Sequence, residues 1–271
     1  MFKKEQNISP QRAEYLKDTV YHKRFVVFMQ IFILLFAVAM WEVLANVGII
    51  DAFIASKPTR VIKTLASLSK NDLWLHFLVT SFETLTGFVL GVVFGMIISA
   101  MLWWSKTFSE IMEPYLVVLN SLPKIALGPI IIIWVGAGTK AIIVMALAIS
   151  LIVTVLELLE GFKSTDKDTI KMAKTFGASK GQIFTKVVFV SNLPCLMNSL
   201  KINIGLSLVG VIAGEFLVSK AGLGYLIVYG GQVFQLDLVM ASVIILAVFA
   251  AVLYRLIVSL ENLVVKKSHF K

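Results

Sequence analysis

The chain has 271 residues, 58% of them hydrophobic and only 15% charged, with a mean hydropathy of +0.89. That is too apolar for a water-soluble domain of this length, so the chain reads as a membrane protein. One cysteine, Cys195, excludes an internal disulfide, and His22, His76 and His269 lie too far apart to form a metal-ligand motif.

Residues 1–24 read as an interfacial segment on the cytoplasmic side. Tyr15, Leu16, Thr19 and Val20 can face lipid while Lys17, Lys23 and Arg24 meet headgroups. A span at 25–47 follows a charged stretch and has no small-x-small cleavage site after it, so it is expected to remain uncleaved. From Pro58 to Trp74, Val61, Ile62, Leu65, Leu68 and Leu73 recur at helical spacing opposite Lys63, Ser67 and Lys70. This pattern predicts a helix on the outer face, starting at Pro58, with an ordinary surface connector as the alternative.

Further spans are expected at 80–102, 112–135, 139–160, 195–217 and 236–260, giving an all-α, polytopic protein with six transmembrane helices. Thr84 to Trp104 is uncharged for 21 residues, enough at about 1.5 Å per residue to cross about 30 Å of hydrocarbon. The transmembrane domain thus covers 25–260, and 261–271 forms a tail. The third span is interrupted: Asn120-Ser-Leu-Pro123-Lys124 and Gly128-Pro129 put two prolines and a cation within ten residues. Carbonyls freed by the prolines need protein or water, so this helix is expected to face the bundle interior or a wet path. A kink with no solute contact is the alternative.

Basic residues orient the chain. The segments 1–24, 103–111, 161–194 and 255–271 hold seventeen Lys and Arg, against six in 48–79, 136–140 and 218–235. Both ends and the insert 161–194 are therefore expected in the cytoplasm. The same asymmetry explains the net charge of +9 and the pI of 9.6, so no nucleic-acid partner is needed.

The insert itself, Gly161 to Pro194, carries six lysines and two aspartates between long apolar runs. Thr165 and Asp168 have capping-box form, with Asp in place of Glu. Ile170, Ala173 and Phe176 share a face, and Gly177 follows as the expected left-handed C-cap glycine. Ser179 and Gln182 form a second capping box, opening a helix with Ile183, Phe184, Val187 and Val188 as its apolar stripe. Small Ala173, Gly177 and Ala178 at the apex would let another surface approach closely. A docking hairpin is favoured over one that merely closes the bundle.

The insert resembles the EAA loop of ABC importer permeases: Glu-Ala-Ala, three residues, Gly, then a hydrophobic stretch ending in Leu-Pro. The pattern falls on Lys171-Met172-Ala173, Gly177 and Leu193-Pro194, with Lys171 replacing Glu, Met172 replacing Ala, and Phe189-Val190 where relatives often carry another Leu-Pro. Trp41-Glu42, Leu122 to Pro129, Trp134-Val-Gly136, Gly214-Glu215 and Ala221-Gly-Leu-Gly-Tyr225 extend the likeness to the nitrate/sulfonate/taurine branch, from about residue 38 to 260. The resemblance implies a type I ABC importer permease paired with a second, usually identical copy, two cytoplasmic ATPases and an external binding protein. It implies ATPase coupling through Lys171, Met172, Ala173, Phe176, Gly177, Ala178 and Pro194. The chain has no GxxxxGK[ST] motif, so ATP is expected on the partner and no cofactor in this chain.

Charges within or beside spans mark either a pathway or structural pairs. Pro123, Lys124, Pro129, Lys201 and Glu215 are the pathway candidates, Lys124 above all, since relatives carry oxyanions. Alternatively, Lys124 and Lys201 snorkel or pair with Glu157 or Glu215. The segment 218–235 is either a re-entrant or docking loop or a flexible connector. A small anionic solute fits the resemblance, though nitrate, a sulfonate or taurine, bicarbonate and a thiamine-precursor pyrimidine all stay open. The rivals are a six-span secondary transporter or channel not coupled to ATP, and a membrane enzyme. For an enzyme, no cluster of His, Asp or Ser at a shared depth is found.

Overall fold

This computed structural model describes residues 10–68 and 72–268, with side chains placed between residues 18 and 263 outside that gap. The described residues are helical, with no strand among them. They divide into two compact units, 1–63 and 64–271.

In the first unit, helix α1 (Pro10–Val47) runs for 38 residues without a break near residue 24. The expected separate interfacial segment is therefore continuous with the first span wherever it is described; residues 1–9, and the side chains of Tyr15, Leu16 and Lys17, lie outside the described residues. Phe28, Phe32 and Phe36 stack along α1, with ring centroids 6.4 and 6.2 Å apart. Near its end, Glu42 accepts hydrogen bonds from the Thr59 amide and hydroxyl, each at 3.1 Å. Thr59 lies in the first turn of α2 (Pro58–Leu68). A charge inside the first span is thus spent on capping a neighbouring helix.

Helix α2 ends at Leu68, earlier than the spacing predicts. Leu73 and Trp74 instead open α3 (Leu73–Trp104), after Asp72 in a left-handed conformation (φ 49°). Lys70 lies outside the described residues.

The second unit is built around α6 (Thr139–Lys163), which packs between α3 and α10 (Leu193–Val218). Small residues set this close approach. A Cβ on Gly87, Gly91 or Gly95 of α3 would lie within 2.7 Å of Ala146, Ser150 or Thr154 of α6. On the other side, a Cβ on Gly210 would come within 2.5 Å of the Ala146 Cα itself. Without a hydrophobic drive in lipid, such small-residue contacts supply the packing.

The third span is bent. Helix α4 (Lys106–Ser121) ends at Leu122, whose extended ψ of 142° is what a following proline imposes. A 3-10 turn (Lys124–Leu127) then leads into α5 (Gly128–Val135), with Pro129 in its first turn. The two arms meet at 87°, so the described residues hold six helical segments long and apolar enough to cross a membrane if this pair counts as one. The interruption expected from Pro123 and Pro129 is present as a near-right-angle turn.

The segment after α10 is not an irregular connector: it forms α11 (Leu223–Gln232), packed on α12 (Leu236–Ser268), α10 and α3. Helix α12 continues past residue 260 into the expected tail.

Candidate functional site

The polar insert joins α6 to α10 as two short helical arms. The first, α7 (Lys167–Thr175), starts one residue later than the sequence suggests. Its N-cap is Asp166, whose carboxylate accepts from the Asp168 and Thr169 amides at 3.1 Å and from the Thr169 hydroxyl at 2.6 Å. The Thr169 hydroxyl, followed by the two amides, holds the Asp166 carboxyl below the usual carboxylate range. Thr165 is not the cap. It is buried and accepts a 2.7 Å hydrogen bond from Asn192, closing the base of the insert.

The turn between the arms is a Schellman motif. The Ala178 amide bonds the Ala173 carbonyl at 3.1 Å, and the Gly177 amide bonds the Lys174 carbonyl at 2.9 Å. Gly177 has φ +78°, as the sequence predicts. The second arm runs through α8 (Lys180–Ile183), a π-helical turn (Phe184–Val188) and α9 (Phe189–Ser191). It opens with a complete Ser179–Gln182 capping box.

The two arms bury one face and expose another. Ile170, Ala173, Ala178 and Phe184 pack on a core of Leu158, Phe162, Ile183, Val188, Leu196 and Met197. Ala173 and Ala178 therefore face inward rather than forming an open apex. The exposed surface is Met172, at 57%, and Phe176, at 83%, beside Gly177, which has open space around it. Two large apolar side chains standing out of a lysine-rich insert are unusual unless something covers them. Lys171, next to them, makes a 3.0 Å surface pair with Asp168. Pro194 sits in the first turn of α10, where its missing amide costs nothing.

The insert is tied firmly to the spans. Lys180 donates to the Trp104 carbonyl at the end of α3 and stands 5.5 Å from that indole ring centroid. Phe184 packs against Trp103 at 5.0 Å and Phe162 at 5.3 Å. Lys163 pairs with Glu113 of α4 at 2.7 Å. The insert and its base thus contact α3, α4 and α6 together.

The pathway candidates fall into three different settings. Lys201 pairs with Glu261 of α12 at 3.1 Å, not with Glu157 or Glu215 as the pairing alternative supposed. Glu215 is buried and bonds Thr80 and the start of α11. Lys124 is different: among the described residues its ammonium reaches the Asn120 carbonyl (3.0 Å) and side-chain oxygen (3.1 Å), both neutral. It stabilises the end of α4 yet keeps its net charge at the bend. The 3-10 turn it begins borders a cavity of about 620 Å³, lined by Ile125, Ala126, Pro129, Val209, Phe216 and Leu246 among others. That is the size of a small-molecule site, and its walls are apolar.

Comparison with known proteins decides the class. Residues 87–269 match the family model described as binding-protein-dependent transport system inner membrane component. The chain belongs to this family. A probable ABC transporter permease of Haemophilus influenzae is 30% identical over 79% of this chain and 87% of its own length. The taurine transport system permease TauC of Escherichia coli is 26% identical, over 79% of this chain and 80% of its own. The formylaminopyrimidine transport permease ThiX of Halalkalibacterium halodurans is 26% identical, over 84% and 91%. The fold matches a chain of the MetNI methionine ABC transporter in an inward-facing conformation, with TM-score 0.62, 19% identity, and coverage of 73% of this chain and 97% of that one.

The protein is thus an inner-membrane ABC importer permease subunit of the MetNI-like fold, and not an enzyme. Sequence reasoning had found the insert and the bend. It missed the Gly87-xxx-Gly91-xxx-Gly95 stripe, a four-residue spacing of small residues that is plainly visible in the sequence. It also missed that Glu215, Thr80 and His76 work together, since only the fold brings α3 beside the start of α11.

Proposed function

We propose that two copies of this chain form an ATP-driven import pathway for a small organic anion handed over by an external binding protein, with the ends and the insert in the cytoplasm. The observation that carries the coupling half is the exposed Met172–Phe176 knob on a doubly capped hairpin. An ATPase surface would cover it, bury both side chains and move the hairpin when ATP closes the ATPase dimer, rocking the two bundles between inward-open and outward-open. Separate ATPase subunits would bind the nucleotide. In a variant lacking Cys195, Met172→Cys should crosslink efficiently to a cysteine on the cognate ATPase and to none on the binding protein. Crosslinking to the binding protein instead would reverse the orientation.

The solute half draws on Lys124 and the adjoining apolar cavity. An ammonium with no carboxylate partner among the described residues, one residue before the cavity-lining Ile125, suits an anion with a hydrocarbon body such as an aliphatic sulfonate, the solute named for two relatives. Lys201, neutralised by Glu261, has no such role in this reading, and Glu215 none as a contact to solute. Lys124→Gln is expected to lower uptake by about tenfold, as for the loss of one charge-assisted contact of about 1.4 kcal/mol. Assembly and binding-protein affinity should be unchanged, and Lys124→Arg should retain part of the activity. Equal uptake by wild type and the Gln variant at equal membrane abundance would leave Lys124 as the end-cap of α4 alone.

A further inference from the structure

Glu83 and Glu215 are both about 1% exposed and lie within the spans of α3 and α10. Two ionised carboxylates so placed would each need several donors, because neither lipid nor water can supply them. Among the described residues, the structure gives several well-placed donors to only one of them.

Glu215 is fully provided for. Its Oε1 accepts from the Thr80 hydroxyl at 2.6 Å, and its Oε2 accepts from the Gly224 and Tyr225 amides at 2.6 and 3.3 Å. The Thr80 oxygen in turn accepts from the Leu223 amide at 2.8 Å, so its single proton is the one given to Glu215. Every contact asks Glu215 to be an acceptor, which is the ionised form. The amides of Leu223, Gly224 and Tyr225 are the first three of α11, whose positive end thus faces a carboxylate. His76 completes the set: its Nδ1 accepts from the Gly222 amide at 2.9 Å, and its ring stacks on Tyr225. Gly222 and Gly224 are required, because a Cβ on either would meet the Glu215 side chain at under 3 Å.

Glu83 has the opposite environment. Thr139 and Glu215 are its polar partners, but among the described residues neither of its carboxylate oxygens has a hydrogen bond of good geometry. The adjacent Glu215 charge further favours the neutral acid.

We propose that the pair carries a single negative charge, with Glu215 as the ionised, interhelical N-cap that positions α11 and Glu83 held as the protonated acid beside it. Helix α11, at the end of the bundle opposite the polar insert, is then fixed to α3 and α10 and moves with them during transport. Glu215 is a positioning residue: it touches α11, not solute.

The two carboxyls therefore predict opposite outcomes for the same substitution. Hydrogen exchange of the 222–225 amides, measured on the full chain in detergent, should rise about tenfold to a hundredfold in Glu215→Gln, which removes an ionised acceptor. It should stay within about twofold of wild type in Glu83→Gln, which only replaces one neutral group by another. The wild-type infrared spectrum should contain a protonated-carboxyl band that Glu83→Gln removes and Glu215→Gln does not. In the assembled importer, Glu83→Gln should keep ATP-driven uptake, whereas Glu215→Gln should hydrolyse ATP with little uptake. The uptake arm takes the ATP-driven reading as given; its failure in wild type would sink that reading and leave the exchange and infrared arms intact. Equal exchange in the two variants, or a protonated-carboxyl band that survives Glu83→Gln, would overturn the charge assignment. If Glu215→Gln does not fold, the Glu83→Gln exchange and band still decide it.

Discussion

Gly177→Asp is expected to leave the protein inserted and folded while abolishing uptake and its coupling to ATP hydrolysis. Gly177 has φ +78° with nothing within 4 Å of where a Cβ would sit. The substitution therefore meets no clash, and its cost to folding is the left-handed backbone strain of about 1 kcal/mol. The loss of function comes from placing bulk and negative charge beside Met172 and Phe176, the face proposed to meet the ATPase. Gly177→Asn separates the effects, since Asn tolerates the left-handed region and adds similar bulk without charge. Asn should retain more uptake than Asp at equal thermal stability. Paired measurements of uptake, ATPase rate and melting temperature check this: normal uptake by the Asp variant would remove the turn from the contact surface.

Gly210→Ala should cost the isolated chain about 1–3 kcal/mol, as overpacking does in a tightly packed core. The added methyl would lie 2.5 Å from the Ala146 Cα, 3.1 Å from its nitrogen and 3.2 Å from the Met145 carbonyl oxygen. All three are backbone atoms of α6, so no rotamer change can relieve the contact. Helices α6 and α10 must separate. Gly205, five residues earlier on α10, has nothing within 4 Å, and Gly205→Ala should be neutral or stabilising by up to about 1 kcal/mol. Thermal unfolding in one detergent reads both. Similar melting temperatures for the two variants would mean that α6 and α10 are not packed this closely.

Much of this was legible in the chain because it depends on local rules. Gly177 ends α7 because only glycine takes a left-handed turn freely, and Ser179 with Gln182 starts α8 by reciprocal capping. Pro123 and Pro129 broke the third span where their missing amides required. What the sequence could not supply was long-range pairing. Thr165 looked like a cap until Asn192, 27 residues later, claimed its hydroxyl, leaving Asp166 to do the capping. Lys201 found Glu261, 60 residues away, rather than the glutamates nearer in sequence. Ala173 and Ala178 have small side chains that suit an exposed apex equally well as an inward face, so their direction had to come from the fold.

The most direct test of the account is solute accumulation in proteoliposomes with the external binding protein present. The account predicts uptake only when the cognate ATPase and ATP are added on the side that carries the insert, and none from the permease alone under a proton or sodium gradient. Accumulation driven by either gradient without the ATPase would contradict it.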